Sequence, residues 1–212
     1  MMRRTTSVPS TQAVDSGIYA QRFRYPSYTI QTKGEAGVAG VITVHGPDGR
    51  MLLYSRQRDT RRVSELCLYS DEYMQDELLL ITAVASHDGK DEFAVVDLTV
   101  DETVGMLRPL PGGAATLDIW RFLTAEGEEI GGLRSIAGMP SALGKIFGSK
   151  ASKLLPASYQ GVVDGVHVCS FRRGLKPLGS SLELDFTPDI HRLLDRRLGI
   201  AAGVMVTTFN GR

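Results

Sequence analysis

Residues Leu198–Phe209, LGIAAGVMVTTF, form twelve uncharged and largely apolar positions close to the C-terminal end of the sequence. A helix with no polar face must be enclosed, by protein or by lipid. Twelve helical residues rise about 18 Å, whereas the hydrocarbon core of a bilayer is about 30 Å thick. The segment is therefore too short to cross a membrane unaided and calls for protein walls. Gly199, Ala201, Ala202 and Gly203 make it a thin rod that such walls can approach closely. Upstream, Ile190–Arg197 reads as an amphipathic helix leading into this rod. Thr187 is placed to cap it, Pro188 suits its first position, and Asp189 complements the positive end of its dipole. Asn210-Gly211 suits the stop.

The walls are legible in the rest of the chain. Val38–Val44 is followed by the turn residues Gly46-Pro47-Asp48-Gly49 and then by Met51–Tyr54. Leu78–Ala85 is a continuous apolar run ended by His87-Asp88-Gly89, and Phe93–Val100 follows it. Asp164-Gly165 separates Gln160–Val163 from Val166–Phe171, the dipeptide that favours a tight hairpin. Leu182–Phe186 alternates apolar and polar residues strictly, as a half-buried strand does. Strands this frequent, with little helix between them, predict an antiparallel β domain, a barrel or a sandwich.

A repeat points to the barrel. Glu102–Arg108 and Glu128–Arg134 both read E-x-[VI]-G-x-L-R, at a spacing of 26 residues. Each follows a strand-like run, so one unit is strand, acidic turn, strand, with glycine where a bulge or a close backbone approach is needed. Asp48–Arg56 reads as a degenerate third copy that lacks the glycine. Repeated hairpins suit a meander that curls round on itself.

The same ending, Phe186–Ile190 through Asp195–Leu198 to Asn210–Arg212, together with the two E-x-[VI]-G-x-L-R units, resembles the tubby C-terminal-like superfamily, in its phospholipid-scramblase and LURP-one-related branch. The resemblance covers roughly Tyr28–Arg212. It implies a mainly β fold, a closed antiparallel barrel of about twelve strands around a central hydrophobic C-terminal helix. It also implies association with lipid. Residues 1–17, rich in Ser, Thr and Arg, read as a flexible tail, and residues 18–212 as a single barrel domain. Scramblases carry a proline-rich arm and a cysteine cluster, neither of which occurs in this sequence. Their acidic calcium-binding segment corresponds here to Gly179–Asp189, which offers only Glu183, Asp185 and Asp189.

Composition removes several functions. Lys+Arg and Asp+Glu balance at 24 each, so no global field favours nucleic acid. Cys67 and Cys169 are isolated and fit a reducing compartment. The N-terminal residues contain no apolar stretch able to act as a secretory signal, and no run approaches the length of a membrane span. A cytoplasmic protein is expected. The histidines at 45, 87, 167 and 191 show no metal-ligand spacing, although His167 and Cys169 would share one face of a regular strand. Gly138–Lys145 has its glycines too far apart for a phosphate loop, and there is no G-x-S-x-G. No catalytic residue, metal or cofactor is expected, and the chain reads as a non-enzyme.

One charge feature remains. From Gly131 to Val163 there is no acidic residue, while Arg134, Lys145, Lys150 and Lys153 are basic and Phe147 is interleaved with them. Such a segment suits an anionic membrane surface, with cations at the headgroups and Phe147 inserted. These five residues are the expected lipid-binding site. The competing expectation is a structural or interaction module that uses the barrel surface for a protein partner.

Overall fold

The computed structural model describes residues 16–33, 40–57, 64–85, 91–110, 118–136, 158–176 and 179–209. A short helix, α1 (Ser16–Gln21), precedes β1 (Ser27–Lys33), β2 (Gly40–His45), β3 (Met51–Gln57) and β4 (Glu65–Tyr69). Then come β5 (Glu77–Ala85), β6 (Asp91–Asp97), β7 (Glu102–Pro109) and β8 (Asp118–Leu123). β9 (Glu129–Ile136), β10 (Ser158–Val163), β11 (Val166–Lys176) and β12 (Gly179–Asp185) complete the sheet, and α2 (Arg196–Phe209) ends the described chain. Each strand pairs antiparallel with the next, and β12 returns to β1, so the twelve strands form a closed barrel. This is the mainly β, helix-filled architecture the sequence predicts.

The barrel has two unlike ends. Its near end carries α1, the turns after β2, β4, β6, β8 and β10, and the connection from β12 into α2. Its far end is where the odd-numbered strands finish. Inside, α2 is surrounded: Ile200, Ala201, Ala202, Val204, Met205 and Val206 have no exposed surface. The strands contribute Ile30, Leu68, Ile81, Leu107, Phe122, Leu133, Phe171 and Leu184 to the same core. The two helix glycines permit this fit. A Cβ on Gly199 would stand 2.5 Å from Phe186, and one on Gly203 would stand 2.8 Å from both Ile30 and Leu184.

The hairpins share one device. In β7 the register skips Val104, and in β9 it skips Ile130, so each repeat copy has a bulge at its [VI] position. The glycine that follows lets backbones meet, since a Cβ on Gly105 would lie 2.7 Å from the Leu123 carbonyl oxygen. The same skip occurs at Leu52 in β3 and at Leu78 in β5. The bulge therefore recurs every 26 residues through four hairpins, with a fifth at Val168 after the longer β9–β10 connection. A bulge turns two successive side chains toward one side. Leu52-Leu53 and Leu78-Leu79 are buried pairs of this kind, and they explain apolar runs that do not alternate.

Two local expectations are corrected. Ile190–Arg197 is not a helix: α2 begins at Arg196, and Thr187–Arg192 makes turns. The backbone amides of Leu193 and Leu194 donate to the Asp189 carboxylate at 2.8 and 3.2 Å, which removes them from any helical ladder. Arg192 has a left-handed φ of 54°, incompatible with a continuing α-helix. The actual cap is Asp195, whose carbonyl accepts from the Gly199 amide and whose Oδ1 accepts from the Arg197 amide at 2.8 Å. His167 and Cys169 do not share a face, because the bulge at Val168 lies between them; Cys169 is buried while His167 stays half-exposed.

The enclosed helix has a direct test. Gly203→Ala should destabilise the fold by about 1–3 kcal/mol in denaturant unfolding, because its methyl overpacks against Ile30 and Leu184. Gly203→Arg would bury an unpaired charge and should yield no cooperatively folded protein. A folded Gly203→Arg variant of native stability would contradict the packing described.

Candidate functional site

The near mouth of the barrel is built by charge. Arg196 and Arg197, the first residues of α2, face two different acidic partners. Arg196 donates to Asp189 Oδ2 at 2.8 Å and stacks its guanidinium 4.7 Å from the centre of the Phe186 ring. Phe186 is in turn packed edge-on against Tyr28 and Phe171. Arg197 donates to Asp195 and, across the mouth, to Asp97 Oδ2 at 2.7 Å at the end of β6. Glu102 at the start of β7 lies 3.7 Å from the same guanidinium. The helix is thus tied to the barrel wall at the point where it enters.

Asp189 is almost fully buried, yet it stays ionised. Burial alone would raise its pKa, but the hydrogen bond from Arg196 and the two amide donors outweigh it, and the carboxyl sits below its ordinary value. Asp195 and Asp97 hold the proton on Arg197 more firmly than on a free guanidinium, against the effect of burial. In contrast, burial pushes the Cys169 thiol up to about 12 and the Cys67 thiol up to about 11, so both are poor nucleophiles.

Between α1 and the 186–195 connection opens a cleft of about 640 Å³. Phe23, Phe186 and Leu194 line it with apolar surface, while Arg24 and Arg192 add exposed cations. Its three aspartates, Asp97, Asp189 and Asp195, are already paired with Arg196 and Arg197. Among the described residues, no group of three or more His, Cys, Asp or Glu side chains could hold a metal. Of the acidic residues in Gly179–Asp189, Asp185 is engaged by the Thr187 amide and hydroxyl, Asp189 by Arg196, and Glu183 sits opposite Arg172 in the sheet.

Of the expected lipid-binding residues, the structure places Arg134. It is exposed on β9 toward the far end, opposite Asp118 of β8 and Gln160 of β10. Lys145, Phe147, Lys150 and Lys153 lie outside the described residues. Arg134 belongs to a set, however. Arg56, Arg108, Arg134 and Arg172 each lie four positions beyond the bulge of their strand, but Arg172 faces Glu183 and lines a surface groove with Gly46, Pro47 and Gly49 of the near-end β2–β3 turn. Arg108 is bound by Glu92 at 2.6 Å, whereas Arg56, Arg134 and Arg172 are exposed. Lys33, also exposed, ends β1 on the same side. The near end is the reverse: Asp48, Glu72, Asp101, Glu102, Glu126, Glu128 and Asp164 are all exposed there, with only Arg24, Arg50 and Arg192 as exposed arginines among the described residues. Among the described residues, exposed charge is thus predominantly acidic at the near end, while the far end carries Lys33, Arg56 and Arg134 beside exposed Glu65 and Asp91.

No family model matches this sequence, and no curated protein is similar to it. Among solved structures, it is similar to the X-ray structure of a protein from Arabidopsis thaliana, AT5G01750. The two share 10% identity, with a TM-score of 0.47, over 90% of this chain and 96% of the other. That figure describes a loose resemblance of shape. Chemistry has to be read from the residues.

The near-end network was not foreseen as a network. Its signal was present as two aspartates, Asp189 and Asp195, and the adjacent Arg196-Arg197, set just ahead of an all-apolar helix. Asp189→Asn should cost about 3 kcal/mol at neutral pH by leaving Arg196 without its charge partner. Because the folded pKa of Asp189 is depressed, its contribution is present above the unfolded value and lost as pH falls through the folded one. Wild-type stability should therefore drop below about pH 4, and the variant should show a smaller drop across that window in denaturant titrations.

Proposed function

We propose that this protein is a non-catalytic barrel that docks reversibly on anionic membrane surfaces through its far end. The supporting observation is the exposed trio of Lys33 and Arg56, on one row of β1–β3, and Arg134 on β9 toward the far end, while the described turns of the near end are rich in exposed carboxylates. Such an uneven charge distribution orients a protein as it approaches a negative surface. Arg134 is also the first cation of the acid-free stretch Gly131–Val163, and the reading keeps Lys145, Phe147, Lys150 and Lys153 of that stretch, which lie outside the described residues, as expected lipid contacts. No helix of the described residues is long and apolar enough to cross a membrane. Attachment of this kind rests on charge and a little apolar insertion. The likeness to the tubby, scramblase and LURP-one-related proteins adds weight, because lipid association is what that resemblance implies. The surface of matching charge would be the cytoplasmic leaflet.

The test is flotation of purified protein with vesicles of phosphatidylcholine, with and without phosphatidylserine, at low and high salt. Binding should require phosphatidylserine and fade with salt. Each surface cation contributes about 1 kcal/mol, so Lys33→Glu/Arg56→Glu/Arg134→Glu should abolish detectable binding without loss of folding. Equal recovery with neutral and anionic vesicles, or none with either, would remove the membrane reading.

A further inference from the structure

Among the described residues, the exposed large apolar side chains gather at the near end of the barrel. Of the seven large apolar residues exposed among the described residues, only Ile136 lies at the far end. Tyr73, Met74, Val100, Val166, Ile190 and Leu193 all lie around the near rim. Tyr73 is 75% exposed at the tip of the β4–β5 turn, with Met74 next to it, and Val100 is 54% exposed in the β6–β7 turn. These two turns are neighbours, because β5 pairs with β6.

Both turns are held rigid around these residues. Asp71 accepts from the Tyr73 amide at 2.9 Å, and Asp97 accepts from the Thr99 amide at 2.9 Å and its hydroxyl at 2.6 Å. Met74 and Asp101 have φ of 56° and 54°, left-handed values that cost a side-chain-bearing residue about 1 kcal/mol or more. Glycine would adopt them freely. Strain retained at an exposed apolar tip is characteristic of a contact surface. Fixed turns also reduce the ordering cost of binding.

Charge selects the occupant. Glu72, Asp101 and Glu102 flank the apolar tips, and all three are exposed. Carboxylates in this position repel an anionic membrane and attract cationic side chains. We propose that the β4–β5 and β6–β7 tips dock a basic, amphipathic segment of a protein partner. Its apolar face covers Tyr73, Met74 and Val100, and its flanking Lys and Arg pair with Glu72 and Asp101. The surface is separate from the arginines of the far end, so this inference stands whether or not those meet a membrane.

The probe is a fluorescein-labelled synthetic amphipathic peptide of Leu and Lys, compared by anisotropy with its Leu and Glu counterpart. The Lys peptide should bind and the Glu peptide should not. Tyr73→Ser/Met74→Gly/Val100→Ser should weaken binding about tenfold, and its glycine relieves the left-handed strain, so the variant should fold. A second variant, Glu72→Gln/Asp101→Asn, should weaken binding and flatten its salt dependence. Failure of the Lys peptide to bind, or binding by either variant as tight as by the wild type, would overturn the proposal. So would loss of phosphatidylserine-vesicle flotation in the first variant, which would make the near rim a membrane surface.

Discussion

A ring of twelve strands encloses more space than its own inward side chains can fill. Eight strands already leave an interior that side chains just occupy, and the width grows with strand number. The lumen therefore has to be filled by backbone that needs no outside hydrogen-bond partners, and a helix is the element that satisfies its own. Everything else about α2 follows from this requirement. It must be apolar on all sides, as Leu198–Val206 is, and thin where the wall presses in, as at Gly199 against Phe186 and Gly203 against Ile30 and Leu184. Width, composition and small-residue placement are a single constraint met three times.

An enclosed rod can slide unless something fixes its height, and the near-end charges do so. Arg196 and Arg197 leave the helix in different directions, one toward Asp189 and Phe186 and the other toward Asp97 on β6. Asp97 also organises the turn after β6 through Thr99. One carboxylate thus couples the position of the central helix to the shape of a surface turn. Pairs of this kind are sensitive to removal of either partner, since the survivor is left desolvated without its counter-charge.

Much of this was legible in the sequence, and the failures share a cause. The enclosed helix, the strand-rich walls and the 26-residue unit follow from local pattern. The bulges were only half visible. Glycine marked them at Gly105 and Gly131, but Leu53, Leu79 and Cys169 occupy the corresponding place elsewhere, and their signature is merely two apolar residues side by side. A strict period of two then assigns the wrong face, as it did for His167 and Cys169. The start of α2 was misplaced because Ile190, Leu193 and Leu194 keep helical spacing, while the tertiary demand of a buried Asp189 takes their amides. The pairing of Lys33 with Arg56 across Val41 required register to be seen, because the two are far apart along the chain.

The closure of the sheet also dictates the order in which the molecule can be completed. β1 finds its second neighbour only in β12, and the rod that fills the lumen follows β12 in the chain. During synthesis, therefore, the sheet cannot close and its lumen cannot be filled before β12 and α2 have emerged. Unpaired edges and uncovered apolar walls are the features that lead nascent β proteins to associate with one another. The first strand waits for the last, and a chain cut short of α2 would have walls with nothing to enclose.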